Sequence, residues 1–92
     1  MPEITFRIRW PDGQEEECYS PSTTMREVLT AGRTYALEEF LGLARSGLTR
    51  ASDRVEALRG YRCSVAAAQL ARIEARVQDF KAPQTVTCLS VG

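Results

Sequence analysis

The sequence predicts an α+β domain in which a three-stranded, mostly antiparallel sheet is covered on one face by two helices. Three observations lead to this prediction: an alternating strand and turn near the start, two long segments with helical spacing, and a β-branched segment near the end. The predicted order is β-β-short α-α-α-β. A chain of 92 residues is large enough for one thin core, so we expect a single domain over residues 1–92.

The first predicted element is a half-buried strand that ends in a turn. Apolar and polar side chains alternate from Ile4 to Trp10, as in a strand with one buried face. Pro11 has no amide hydrogen for a strand ladder, so it is better placed inside the turn. We therefore predict a type I turn with Pro11 and Asp12 at its centre and Gly13 in the left-handed position that follows.

This turn sets the register of the hairpin. The predicted cross-strand pairs are Arg9 with Glu15, Arg7 with Glu17, and Phe6 with Cys18. Two pairs of opposite charge result, and Cys18 turns toward the core. Because the second strand carries three consecutive glutamates, we expect it at the exposed edge of the sheet, with the last strand beside the first.

A short helix and a long helix are predicted next. The spacing of Thr24 and Glu27 is that of a capping box, which favours a helical turn there. Apolar residues then recur at three- and four-residue steps from Leu37 to Leu58, which predicts a long amphipathic helix that buries this stripe. Gly47 lies at the edge of the stripe, where it permits the close approach of a neighbouring segment.

The remaining elements are a second long helix and a final strand. Gly60 breaks the first long helix, and Ser64 is placed to begin the next. The buried stripe predicted for the second helix is Ala66, Leu70, Ile73, Val77 and Phe80. Residues 84–91, QTVTCLSV, have the composition of a strand. A β-grasp fold is the alternative architecture, because a hairpin followed by STTMREVL resembles the start of ubiquitin-like and sulfur-carrier proteins.

Charge and cysteine content exclude several classes of protein. The net charge is zero, which argues against a nucleic-acid binder, but residues 1–39 carry a net −4 and residues 40–92 a net +4. Three cysteines at uneven spacings and no histidine predict reduced thiols and no metal site. No segment is long and apolar enough to cross a bilayer and no leader pattern opens the chain, so we expect a cytoplasmic protein away from the membrane.

Several side chains are candidates for a functional site. The expected partner-binding residues are Trp10, Tyr35, Tyr61, Arg50 and Arg54, since aromatic and arginine side chains are enriched at interfaces. The structural alternatives are a core position for Trp10 and a salt-bridged surface for the two arginines.

Catalysis receives little support from the sequence. Without histidine the usual general base is absent, and the sequence predicts neither catalytic residues nor a cofactor. Cys63 is the candidate for a reactive thiol, because Arg62 and the start of a helix would stabilise its thiolate.

Four short motifs carry a resemblance to a known family. They are RWPDG at residues 9–13, CYSPS at residues 18–22, ASDRV at residues 51–55 and the aromatic-x-Cys-Ser junction at residues 61–64. With them the chain, from its start to about residue 80, resembles the small bacterial nitrogen-starvation response proteins. The genes of that family typically lie beside those of a Nit1-type nitrilase, a radical SAM enzyme, an acetyltransferase and a flavoprotein.

The resemblance implies an accessory protein in the assimilation of nitrogen from nitriles or cyanide, and it carries over no catalytic residue. We therefore expect a non-catalytic accessory or regulatory protein that acts by protein–protein association. The expected partner is an enzyme of the same gene cluster or a second copy of the chain in a homodimer. The alternative function is a small enzyme or thiol carrier that uses Cys63.

Overall fold

The structure is a computed structural model that describes residues 3–60 and 64–92. Within these residues the chain forms four strands and three helices, in the α+β arrangement that the sequence predicts. The elements are β1 (Ile4–Arg9), β2 (Glu15–Ser20), α1 (Met25–Val28), β3 (Thr34–Ala36), α2 (Leu37–Arg59), α3 (Ser64–Val77) and β4 (Thr85–Val91).

The strands form one antiparallel sheet in the order β2-β1-β4-β3. The predicted position of β4 beside β1 is confirmed, and so is the position of β2 at an edge. The sequence predicted three strands, whereas the sheet of the described residues has four, since β3 forms the edge opposite β2. This strand has three residues, and its pairing depends on residues about fifty positions further along the chain, such as Val86 opposite Tyr35.

The register of the first hairpin is the predicted one. Arg7 lies opposite Glu17 and Arg9 opposite Glu15. In the turn, the amide of Gly13 donates to the carbonyl oxygen of Trp10 at 2.9 Å, and the φ angle of Gly13 is 90°. The turn therefore depends on a left-handed residue at this position, which glycine adopts at the lowest cost.

The core lies between one face of the sheet and the helices. Side chains along β1 alternate between buried and exposed, so one face of the sheet is covered and the other is open to solvent. The largest fully buried side chains include Phe6, Ile8, Phe40, Met25 and Leu48. These residues come from β1, α1 and α2, which makes the contact of α2 with the sheet the centre of the fold.

The predicted capping box at the start of α1 was wrong. Thr24 is the residue before the helix, but its side chain makes no capping hydrogen bond. Instead its hydroxyl donates to the carbonyl oxygen of Gly47 at 2.8 Å, and Ser22 lies 3.1 Å from it on the other side. Both side chains are fully buried, so the chain after β2 is fixed to the middle of α2 by buried hydrogen bonds.

In α2 the predicted role of Gly47 is confirmed, whereas the predicted burial of Leu58 was wrong. A Cβ atom at Gly47 would meet the Met25 sulfur and the Val28 side chain, so glycine does permit close approach there. Leu58 belongs to the predicted buried stripe, yet it is 70% exposed. The reason is length: 23 residues span about 34 Å of helix, whereas strands of six or seven residues span about 20 Å. The last turn of α2 therefore reaches beyond the sheet.

Helix α3 packs on α2 and also covers the β2 edge of the sheet. The side-chain oxygen of Gln69 accepts a hydrogen bond from the Tyr19 amide at 3.0 Å, and Gln69 is buried. In the predicted stripe of α3 and the residues after it, Ala66 and Ile73 are buried, while Leu70, Val77 and Phe80 are partly buried against the core. An edge amide that is already bonded cannot pair with another strand.

Candidate functional site

Trp10 lies inside the protein, at the end of β1. It is 2% exposed, its ring stacks on Phe80 with centroids 5.9 Å apart, and it meets Phe40 edge to face at 5.8 Å. Its indole nitrogen donates to a Glu16 carboxylate oxygen at 2.9 Å. The structural alternative, a core position, is therefore the correct one, and Trp10 has no exposed ring face to offer to a partner.

Arg76, in the last turn of α3, joins this tryptophan to the hairpin turn. Its guanidinium lies 5.2 Å from the centroids of both the Trp10 and Phe80 rings. One guanidinium nitrogen is 3.3 Å from an Asp12 carboxylate oxygen and 3.4 Å from the Gln14 side chain. We call Trp10, Asp12, Arg76 and Phe80 the turn cluster. It fixes the first hairpin to the far end of the chain's third helix.

The charge of Asp12 is part of this arrangement. The backbone amide of Gln14 donates to the Asp12 carboxylate at 2.9 Å, and this bond is the main reason that the pKa of Asp12 is lowered. Arg76 lowers the pKa further through its hydrogen bond and its charge. The acidic residue of the RWPDG motif is therefore held in its ionised form by the turn and by α3, which is a structural role.

Tyr35 is also a core residue. It is 2% exposed, and its hydroxyl accepts a hydrogen bond from the Thr30 amide at 2.9 Å. The Arg33 guanidinium lies 5.2 Å from the ring centroid. Its position in β3 therefore serves the packing of the sheet edge, and the predicted exposure of Tyr35 to a partner is not what the structure shows.

Arg50 and Arg54 differ in what they contact. Arg50 lies 3.2 Å from a Glu27 carboxylate oxygen, which bridges α2 to α1 at the surface. Arg54 is exposed, and within residues 3–60 and 64–92 no ion pair involves it. The salt-bridged alternative therefore holds for Arg50, and Arg54 is the one of the two whose guanidinium is available to a partner.

The thiols of the two described cysteines, Cys18 and Cys88, are poor nucleophiles. Cys18 is buried opposite Phe6, and burial, with a smaller contribution from the charge of Glu16, raises the pKa of its thiol from 9.0 to about 12. Burial also raises the pKa of the Cys88 thiol. Burial therefore disfavours the thiolate form of both side chains. Tyr61 and Cys63 lie outside the described residues, so the expectations for them stay predictions.

The adjoining ends of α2 and α3 carry the large apolar side chains that the described part of the chain leaves exposed. Leu58 is 70% exposed in the last turn of α2, and Val65 is 53% exposed in the first turn of α3. We call these two residues, together with the exposed Arg54, the open end. Sequence reasoning missed it because Leu58 continues the buried stripe by its spacing and Val65 has no distinguishing pattern.

The acidic first part and the basic second part of the chain form ion pairs with each other. Ion pairs that join the acidic first part to the basic second part are Glu27 with Arg50, Glu16 with Arg72, and Asp12 with Arg76. These contacts tie the hairpin and α1 to the two long helices. The asymmetry therefore does not need a second molecule to explain it.

Comparison with known proteins identifies a family. The family model described as nitrogen starvation-induced protein NitG matches residues 5–91. The chain belongs to this family. No curated protein and no solved structure gave a significant match.

The motifs on which the sequence resemblance rests have positions in the fold of this NitG-family chain. The RWPDG motif supplies Trp10 and Asp12 of the turn cluster, and the serine-rich residues 20–22 lie in the buried segment that reaches Gly47. The ASDRV motif lies in α2, where Ala51, Ser52 and Val55 are buried. Most of the resemblance thus falls on residues that hold the helices to the sheet.

The described residues limit the chemistry further. Among residues 3–60 and 64–92, no group of three or more histidine, cysteine or acidic side chains is placed to hold a metal ion. Within the same ranges, no helix has the length and apolar character needed to span a bilayer.

Proposed function

We propose that this NitG-family protein is a non-catalytic accessory protein that acts during nitrogen starvation by binding another protein through the open end. The observation that carries the proposal is the exposure of Leu58 and Val65 at adjoining helix ends, beside an arginine with no ion-pair partner in the described chain. Exposed apolar side chains next to arginine are typical of the contact residues of interfaces.

The chemistry of the described residues supports association over catalysis. The chain contains no histidine, and the thiols of Cys18 and Cys88 are buried with raised pKa values. The aromatic rings of Trp10 and Tyr35 are buried in the core. A surface that binds is therefore better supported than a pocket that reacts.

The partner that we propose is an enzyme encoded in the same gene cluster, in the cytoplasm, in a pathway that takes nitrogen from nitriles or cyanide. The family supports the link to nitrogen starvation. The gene neighbourhood that the sequence resemblance implies is the reason for this choice of partner. A homodimer formed through the open end is the competing association.

Affinity purification from nitrogen-limited cells tests the proposal. The tagged chain is expected to retain one enzyme stoichiometrically, and Leu58→Glu and Val65→Glu are expected to lose it, because each places a charge in an apolar contact. Ala82→Glu is the matched control, since Ala82 is exposed far from the open end in sequence. Retention of the same partner by both open-end variants would show that another surface binds it.

The same cells distinguish the alternative function. Cys63 is followed by the first residue of α3 and preceded by an arginine, which favours a thiolate at that position. If no enzyme is retained and growth on the limiting nitrogen source is lost in Cys63→Ser but not in Cys18→Ser, a small enzyme or thiol carrier is favoured instead. Light scattering of the purified chain reports the homodimer directly.

A further inference from the structure

Strand β2 forms one edge of the sheet, and some of its backbone groups face away from β1. The amide of Trp10 donates to the carbonyl oxygen of Gln14 at 2.8 Å, so these two residues form a hydrogen-bonded pair. In an antiparallel ladder, such pairs alternate with pairs whose backbone groups point outward. From the register of the hairpin, the outward residues of β2 are Glu15, Glu17 and Tyr19. A strand added at this edge would pair with these three residues.

One of these outward groups is already bonded to a side chain. The Tyr19 amide donates to the side-chain oxygen of Gln69 at 3.0 Å. Gln69 belongs to α3, which lies outside the sheet. Its oxygen therefore takes the position that a carbonyl oxygen of an added strand would take.

Gln69 makes this bond at a cost. It is 5% exposed, and its side-chain nitrogen is buried with no hydrogen-bond partner among residues 3–60 and 64–92. A buried donor without a partner is unfavourable, whereas an apolar side chain of similar size would fill the position without one. Packing alone therefore does not account for a glutamine here, and the bond to the Tyr19 amide does.

The outward groups of β2 match those of a second copy of β2 in antiparallel orientation. With a two-fold axis at Glu17, the outward groups of Tyr19 in one copy face those of Glu15 in the other. This arrangement needs the Tyr19 amide of each copy, so Gln69 removes two of its hydrogen bonds. The arrangement also places the Glu17 residues of the two copies opposite each other, and like charges at such positions oppose pairing.

We propose that Gln69 keeps two copies of the chain from joining their sheets through β2. Gln69 protects the edge by holding a backbone donor, and the outward glutamates protect it by their charge. This role is separate from the open end, so association through the open end does not depend on it.

Sedimentation velocity of the full chain at increasing concentration tests the proposal. The background carries Glu15→Thr and Glu17→Thr, which remove the like charges and introduce residues that suit a strand. It should sediment as the unchanged chain does, because Gln69 is still in place. Adding Gln69→Leu should raise the association constant about tenfold to a hundredfold, since the Tyr19 amide of each copy becomes available.

Two further variants identify the contact. Gln78→Leu, added to the same background, makes the same chemical change at an exposed position just after α3 and should leave sedimentation unchanged. Glu17→Pro, combined with Glu15→Thr and Gln69→Leu, should abolish the association. Proline lacks the outward amide hydrogen, and at this position its absence removes no bond to β1.

Hydrogen exchange of the unchanged chain gives an independent test. The Tyr19 amide should exchange more slowly than the Glu17 amide, although both face the same edge. Equal exchange rates would overturn the proposal. Equal sedimentation with and without Gln69→Leu would also overturn it, as would an association that Gln78→Leu reproduces or that Glu17→Pro leaves intact. If Gln69→Leu does not fold, Gln69→Met takes its place, and the exchange rates decide without any variant.

Discussion

The two ends of α3 differ in how they are packed: the C-terminal end contacts the rest of the fold, and the N-terminal end is exposed. At its C-terminal end, Arg76 contacts the rings of Trp10 and Phe80 and the carboxylate of Asp12 in the hairpin turn. At its N-terminal end, Val65 is 53% exposed, and Leu58, in the last turn of the preceding helix, is 70% exposed. The C-terminal end of α3 therefore contributes contacts that stabilise the fold, whereas its N-terminal end carries an exposed apolar side chain that contributes little to packing.

The difference indicates where function is to be sought. Residues of the turn cluster contact one another through ring stacking, cation–π contacts and an ion pair, so their side chains are already engaged within the fold. The open end has apolar area and an arginine outside any ion pair of the described chain. Substitutions at the two ends should therefore separate stability from binding.

The largest expected effect comes from Trp10→Ala. Removing a fully buried ring that packs on Phe40 and Phe80 should lower the free energy of unfolding by about 3–5 kcal/mol. Leu58→Ala should change it by less than about 0.5 kcal/mol, because Leu58 is mostly in solvent. Urea unfolding followed by circular dichroism measures both. Similar losses in the two variants would show that the ends do not differ in this way.

Two glycines of α2 give the next contrast. Gly47→Ala should lower the free energy of unfolding by about 1–3 kcal/mol, because the new Cβ meets the buried Met25 side chain. Gly42→Ala should raise it by up to about 1 kcal/mol, since a Cβ there meets nothing within 4 Å and alanine favours the helix. Thermal unfolding of both variants checks the signs. A stabilised Gly47→Ala would contradict the close packing of α1 on α2.

A smaller loss is expected for Arg76→Ala. The cation–π contacts and the partly exposed ion pair with Asp12 together should contribute about 1–2 kcal/mol. Arg54→Ala, at the open end, should leave stability unchanged and weaken only partner binding. Denaturant unfolding and affinity purification, measured on the same two variants, sharpen the comparison. An Arg76→Ala protein of full stability would mean that the turn cluster depends on its aromatic members alone.

The smallest effect concerns pH and Cys18. The pKa of its thiol is raised in the folded state, so its contribution to stability is complete below its ordinary pKa of 9.0 and is lost as the pH rises toward about 12. At pH 9.0 the loss should be about 0.4 kcal/mol, and one pH unit higher about 1.4 kcal/mol. Cys18→Val should show a shallower decline of the unfolding free energy between neutral and alkaline pH. Parallel declines would mean that other groups dominate.

Much of the fold could be predicted because its determinants are local. The alternation of β1, the turn with Pro11 and Gly13, and the helical spacing of α2 each depend on neighbouring residues, and the hairpin register followed from the turn. Strand β3 could not be predicted in this way. It has three residues of mixed character, and its partner, β4, lies about fifty residues further along the chain.

The residues whose surroundings differ from the sequence-based expectation do so for one reason. The motif at Thr24 predicted a local cap, but a buried carbonyl of α2 competes for the same hydroxyl. The spacing of Leu58 predicted burial, but the sheet is too short to cover it. Trp10 was one of the candidates for partner binding, yet α2 and the segment after α3 enclose its ring. Each outcome depends on what a distant segment places beside the residue.

The place of β4 in the sheet has a consequence for synthesis. The β1–β2 hairpin has its pairing partners at hand as soon as it leaves the ribosome, but β4 stands between β1 and β3. Strand β3 has no neighbour, and one side of β1 stays unpaired, until the last strand has been made. The sheet therefore closes only after β4 has been translated, when this strand pairs with β1 on one side and with β3 on the other.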